Sequence, residues 1–269
     1  MNLDTSMHKK LATILLLVLT SASDAAVTIV GGVPQTASDS ATTGHTTFAA
    51  VSVEAGDYVV VSTASNKSFT TNQLSYSWTG TEGVAGVSST VSVEQTYAAY
   101  LSYTSVMVGG TYDFSVLASN STLTANSALY VLRPGTGEMI LVADTATQAE
   151  LTGSASALTY LFGNSLTSGL AIEAATTQSG GAFTLDSDYV TPNSSAALNG
   201  RLLSYSTLVT GSSWDSSHGY AVTPDDVASV GAVFTTVAVP EPSRLLFLGA
   251  GVVACVTRRR RQGYRPVSQ

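Results

Sequence analysis

Phe48-Ala49-Ala50-Val51-Ser52-Val53-Glu54-Ala55-Gly56-Asp57-Tyr58-Val59-Val60-Val61-Ser62 is the stretch whose reading decides the fold. Two short apolar runs flank Glu54-Ala55-Gly56-Asp57, which has the composition of a tight reversal. Apolar residues mixed with Ser at this spacing mark half-buried strands, so the stretch predicts two strands joined as a hairpin. The same pattern recurs at Val87–Val93, Tyr97–Tyr103, Tyr112–Leu117, Leu129–Leu132 and Val230–Val237. Arg133-Pro134-Gly135-Thr136-Gly137 predicts a second hairpin, leading into Met139–Val142. Helical signals are confined to Asp144–Leu151 and Pro224–Ser229, each enough for one or two turns. The expected class is all-β, and about a dozen short strands fit a two-sheet β-sandwich or jelly roll better than a small immunoglobulin-like unit. Val51-Ser52-Val53-Glu54 returns as Val91-Ser92-Val93-Glu94, but two copies do not make a solenoid.

Both ends of the chain read differently from this middle. His8-Lys9-Lys10 followed by the apolar run Leu11–Leu19 and the small residues Ser23-Asp24-Ala25 has the layout of a secretory signal, residues 1–25, cut by a signal peptidase before Ala26. At the other end Val239-Pro240-Glu241-Pro242-Ser243 precedes the apolar run Leu245–Val256 and then Arg258-Arg259-Arg260-Arg261. Pro240 and Pro242 forbid a helix in the box, and Ser243 is a good N-cap for the apolar run. A helix from Ser243 to Thr257 covers roughly 20–25 Å, enough for a single transmembrane helix in a thinned bilayer. The arginine cluster resists translocation, so that end stays cytoplasmic and Glu241 faces outward. Arg244 stands just inside the span, where its long side chain can reach outward.

The order of box, apolar run and arginines resembles the PEP-CTERM sorting signal of bacterial exported proteins. The resemblance covers Val239–Arg261, including Gly249 and Gly251 in the apolar run, and residues 262–269 extend beyond it as a short cytoplasmic tail. It implies recognition by an exosortase, a membrane enzyme that cuts at or near the Pro-Glu-Pro box. Val239, Pro240, Glu241, Pro242, Ser243 and Arg258, Arg259, Arg260, Arg261 are then recognition residues, and any chemistry belongs to the exosortase. An ordinary single-pass anchor is the alternative. The family's tie to polysaccharide export also implies exopolysaccharide as a partner.

Composition limits the 26–238 body further. It holds fifteen acidic residues against three basic ones, Lys67, Arg133 and Arg201, a balance of -12. Such a charge repels phosphate backbones and disfavours nucleic acid as a partner. The single cysteine, Cys255, lies in the apolar tail, so the body forms no internal disulfide and offers no thiol nucleophile. With only His45 and His218 in the body, a multi-histidine metal site is ruled out, and no cofactor is expected. Asp186-Ser187-Asp188 and Asp225-Asp226 are short of a calcium loop and read as turn acids, with calcium kept as the alternative.

The stretch Trp214-Asp215-Ser216-Ser217-His218-Gly219-Tyr220 gathers an aromatic, an acid, hydroxyls and an imidazole, and is read as one loop. No Gly-x-Ser-x-Gly elbow accompanies it, so a catalytic triad has no support in the sequence. Its binding reading is a glycan contact in which Trp214 stacks on a sugar ring while Asp215 and His218 supply polar contacts. Its plain reading is a polar loop pinned by a half-buried tryptophan. The resulting expectation is a non-enzymatic protein exported through the inner membrane. It is anchored transiently, then placed at the cell surface or in the extracellular matrix in a structural or adhesive role. A lectin-like module and a secreted hydrolase are the alternatives.

Overall fold

The computed structural model describes residues 26–40, 45–65, 74–77, 85–91, 97–118, 124–153, 155–177, 182–192, 200–220 and 225–239. Among them the chain is all-β. The strands are β1 (Thr28–Ile29), β2 (Gln35–Ser40), β3 (His45–Val53), β4 (Tyr58–Ser65), β5 (Leu74–Ser77), β6 (Ala85–Val91) and β7 (Tyr97–Ser105). They continue as β8 (Gly110–Ala118), β9 (Thr124–Arg133), β10 (Glu138–Gly153), β11 (Ala155–Thr177), β12 (Phe183–Thr184), β13 (Arg201–Tyr220) and β14 (Asp225–Ala238). Every stretch expected to be extended falls within a strand, apart from Ser92 and Val93, which lie outside the described residues.

The chain divides into two compact units. One comprises Met1–Ala22, Thr136–Glu138 and Ala238–Gln269, and within its described part the Val239 N–H donates to the Gly137 carbonyl at 2.8 Å. The other, Ser23–Gly135 with Met139–Val237, holds the sheets. A six-stranded sheet runs β1-β9-β4-β7-β6, with β2 also on β9; a five-stranded sheet runs β10-β14-β11-β13-β12; and a three-stranded sheet runs β3-β8-β5.

The central strands β4 and β9 of the six-stranded sheet are buried on both faces. Val60, Ala64, Ala128, Tyr130 and Leu132 face Leu170, Ile172, Ala174, Leu203, Val230 and Phe234 of the five-stranded sheet. Edge-on aromatic pairs, Tyr58 and Tyr103 on Phe234 and Tyr130 on Tyr205, tie that interface together. The alternate residues Val59, Val61, Leu129 and Val131 face Phe48, Val51, Val53 and Phe114 of the three-stranded sheet. Double-sided burial is why Val59-Val60-Val61 is continuously apolar. The stack has three layers, one more than strand spacing alone suggested.

Both expected hairpins are instead crossings between sheets. β3 pairs with β8, whereas β4 pairs with β7 and β9, so the two strands flanking Glu54–Asp57 pack face to face. β9 and β10 likewise belong to different sheets. Turn residues fix a reversal; which edge the strand then joins is decided by where its apolar faces are covered. The Glu54–Asp57 corner is held by Asp57, 1% exposed, which accepts the Glu54 N–H at 2.8 Å while Gly56 takes φ +94°. Arg133 donates to both Asp57 oxygens, from Nε at 2.9 Å and Nη2 at 2.8 Å, and its Nη1 reaches Glu54 at 2.7 Å. Asp57 holds the Arg133 guanidinium even more firmly protonated than usual.

The expected helical turns are strands as well. Asp144–Leu151 lies within β10, and Asp225–Ser229 opens β14, where Val227, Ala228 and Ser229 pair with Thr177, Thr176 and Ala175. Ladder pairing overrides a weak local helical preference. β11 and β13 are the longest strands, and they are bent. Ala155–Leu161 pairs with Ser213–Gly219 and Ala171–Thr176 with Arg201–Ser206, but the register shifts three times between Leu161 and Ala171. Bulges of this kind turn a strand. The outer half of β11 therefore folds over its inner half and encloses Leu158, Tyr160, Phe162, Ala171, Tyr189, Val209 and Val233.

Candidate functional site: a buried carboxylate cluster

Inside that fold lies Glu173 of β11, 2% exposed. Its Oε1 accepts hydrogen bonds from the hydroxyls of Tyr160 at 2.8 Å and Tyr189 at 2.7 Å. Its Oε2 accepts from Ser216 Oγ at 3.0 Å and lies 2.9 Å from His218 Nε2. Tyr160 and Glu173 belong to one strand, thirteen positions apart; a straight strand would separate them by about 43 Å. The contact exists because β11 bends. Across the β14 ladder Glu173 faces Gly231, where a Cβ would overlap the Tyr160 hydroxyl, so glycine makes room for the ring.

His218 is fully buried, and both of its ring nitrogens are engaged. The Asp186 N–H donates to Nδ1 at 3.1 Å, which leaves the ring proton on Nε2 to be donated to Glu173. The Tyr189 ring meets the imidazole edge-on at 4.8 Å. Ser204 Oγ stands 3.4 Å from Nε2, but a general base needs a free ring lone pair facing its nucleophile, and the Nδ1 lone pair is taken by the backbone. Burial first, and then the charge of Glu173, push the hydroxyls of Tyr160 and Tyr189 well above the usual tyrosine range. They remain donors. The arrangement holds one buried carboxylate with four donors and fixes the curl of β11.

The Trp214–Tyr220 stretch is part of β13 and not a loop. Strand alternation turns Trp214, Ser216, His218 and Tyr220 inward and leaves Asp215 and Ser217 exposed. Trp214 is half-buried and donates from Nε1 to the Tyr189 hydroxyl at 3.1 Å, extending the Glu173 network. Asp215 therefore points away from Trp214 and His218, and the three share no surface. The Asp186 carboxylate accepts the N–H groups of Asp188 at 3.2 Å and Ser217 at 3.0 Å, while Asp226 is buried in β14. Among the described residues no three His, Cys, Asp or Glu side chains converge as a cation site requires.

Of the sorting-signal residues, Val239 is described and 43% exposed. Pro240, Glu241, Pro242, Ser243 and Arg258–Arg261 lie outside the described residues, as does the 1–25 segment. No helix among the described residues is long and apolar enough to cross a membrane. Glu173 itself escaped the sequence reading, although a lone acid inside Gly169-Leu170-Ala171-Ile172-Glu173-Ala174-Ala175 is a visible signal for a buried, hydrogen-bonded carboxylate. No family model matches the chain, and neither a curated protein nor a solved structure matches it.

Proposed function

We propose that this is an exported bacterial surface or extracellular-matrix protein, delivered by a PEP-CTERM-type signal and serving a structural or adhesive role without catalysis. The observation that carries this reading is the order of Val239–Ser243, the apolar run and Arg258–Arg261 at the chain end opposite a secretory-type leader. On this reading residues 1–25 are removed by signal peptidase, and the tail holds the precursor in the inner membrane until an exosortase cuts at or near the box. The body supports the reading in two ways. Its stability comes from sheet packing without disulfides, and its most elaborate polar cluster is spent internally on holding β11.

Replacing Pro240, Glu241 and Pro242 together by alanine tests the proposal. The span and arginines remain, so insertion and orientation persist, since a bilayer reads length and charge. In a host with the matching exosortase, precursor should accumulate in the membrane while the parent loses its tail. Processing and delivery of the alanine variant at the parental rate would reduce the tail to a plain anchor.

A further inference from the structure

Three strands of the sheet-bearing unit run to the same end. β7 and β9 both pass along β4 from Ser65 toward Tyr58, which pairs with Ser105 and Leu132. β14 runs with them: its Ala228 pairs with Thr176, whose hydroxyl donates to the Ser65 carbonyl at 3.1 Å, and its Phe234 meets the rings of Tyr58 and Tyr103. The chain leaves this unit at Val237, just past Phe234 and so at the Tyr58 end. The β7–β8 turn lies at that end and carries Met107 and Val108, 59% and 61% exposed. The turn is held so that both side chains point out. Val106 before them is buried, with its N–H on the Asp57 carbonyl at 2.7 Å and its carbonyl accepting the Gly56 N–H at 2.9 Å. After them, the Tyr112 hydroxyl donates to the Val108 carbonyl at 3.0 Å, and a Cβ on Gly109 would lie 3.2 Å from Glu54 Cα. Met139 and Leu141, which open β10 after the reversal at Arg133, are exposed on the face away from Ile140 and the inter-sheet core, and Val237 is exposed as well.

We propose that the Met107–Val108 turn is a lipid contact, seated in the exported-side leaflet of the bilayer that holds the tail. This rests on the reading of Leu245–Val256 as a membrane span. Val237 and Leu245 are eight residues apart, no more than about 28 Å when fully extended. The tether keeps the Tyr58 end close to the lipid, where a high effective concentration populates even weak apolar contacts. Exposed apolar side chains on a fixed turn are suited to such insertion. The nearest charges, Glu54 and Arg133, pair with each other at 2.7 Å, and the body as a whole carries -12, so the contact is apolar and owes nothing to anionic headgroups. Its consequence is that Val239–Ser243 is held at the membrane surface, within reach of a membrane enzyme.

The test is the depth of single nitroxide labels on the full chain, reconstituted in phosphatidylcholine vesicles with and without phosphatidylglycerol. Labels are attached in Met107→Cys, Val108→Cys and Ala157→Cys, each combined with Cys255→Ser, while the parent is labelled at Cys255 itself. Ala157 is the control: it is exposed beside Ser156, whose hydroxyl meets Ser229 of β14 at 2.6 Å, toward the Ser65 end. The labels at 107 and 108 should sit about 5 Å inside the lipid phosphate plane in both kinds of vesicle, and the label at 157 in water. Should the cysteine variants fail to fold, the Met107 methyl resonance of the parent decides, since a lipid-borne nitroxide must broaden it and a water-soluble one must not. Labels at 107 and 108 in water while the Cys255 label lies in hydrocarbon, or a Met107 methyl untouched by the lipid-borne nitroxide, overturn the contact and leave the span standing. A Cys255 label in water overturns both. Labels at 107 and 108 that are shielded equally in detergent without vesicles, and that broaden one another's spectra, assign the turn to contact with a second copy of the chain and overturn the lipid contact.

Discussion

Replacing Gly231 by alanine should unfold the curl of β11 at its tightest point. Gly231 sits beneath the Glu173 cluster, and a Cβ there would overlap the Tyr160 hydroxyl, lie 2.8 Å from Glu173 Cγ and 3.1 Å from Leu158 Cδ1. Tyr160 is fully buried, so the ring has nowhere to retreat without releasing Glu173. Overpacking of this kind costs about 1–3 kcal/mol, and stranding a buried donor and acceptor adds about 1–3 kcal/mol more. A loss near 4 kcal/mol corresponds to a fall of about 8–16 °C in a domain of this size. The assay is urea and thermal unfolding of residues 26–238, compared with Gly163→Ala, where a Cβ meets nothing within 4 Å. Gly163→Ala should be neutral or slightly stabilising. In a Tyr160→Phe background the Gly231→Ala cost should shrink by at least about 1 kcal/mol, because the hydroxyl it strikes is gone. If Gly231→Ala matches Gly163→Ala, or if the two changes simply add, the packing account of the curl is wrong.

Three further outcomes are expected. Asp57→Ala should destabilise by about 3 kcal/mol because it strands Arg133 and frees the Glu54 corner, whereas Glu54→Ala, whose side chain is 69% exposed, should cost under about 1 kcal/mol; chemical denaturation compares them. Ala50 holds φ 54° at the β3 bulge, with its N–H on Asp113 Oδ1 at 2.8 Å, so Ala50→Gly should raise stability by up to about 1 kcal/mol in the same assay. Tyr130, Tyr160 and Tyr189 are all shifted upward, chiefly by burial, while an unfolded chain gives up tyrosine protons near pH 10. The folded state then binds more protons than the unfolded one above that point, so stability is complete below about pH 10 and falls as pH rises further. Phenolate absorbance should lag in the native protein and jump on unfolding; full ionisation of all tyrosines in a still-folded protein would contradict this.

The strands were legible because each carries its own apolar pattern, as Phe48–Val53 and Tyr58–Ser62 do. Their partners were not, since Glu54-Ala55-Gly56-Asp57 encodes a reversal equally well for a hairpin and for a corner between sheets. β11 and β13 were unread because their bent middles are rich in Ser, Thr and Gly and bulges break the two-residue period. In Trp214–Tyr220 the alternation is present, but the polar composition outweighs it and imitates a loop. The Glu173 cluster draws on two strands and the 182–192 segment, and only the bend of β11 brings Tyr160 to Glu173. No local pattern records that bend. The tail reading, by contrast, depends on order along the chain and needs no tertiary contact.

The most direct test of the central claim is the intact mass of the protein recovered from the cell surface or matrix of a host carrying the matching exosortase. The account predicts a chain that begins at about Ala26 and ends at or near Val239–Ser243, without Leu245–Arg261. A surface protein that still carries the apolar run and the four arginines would contradict it.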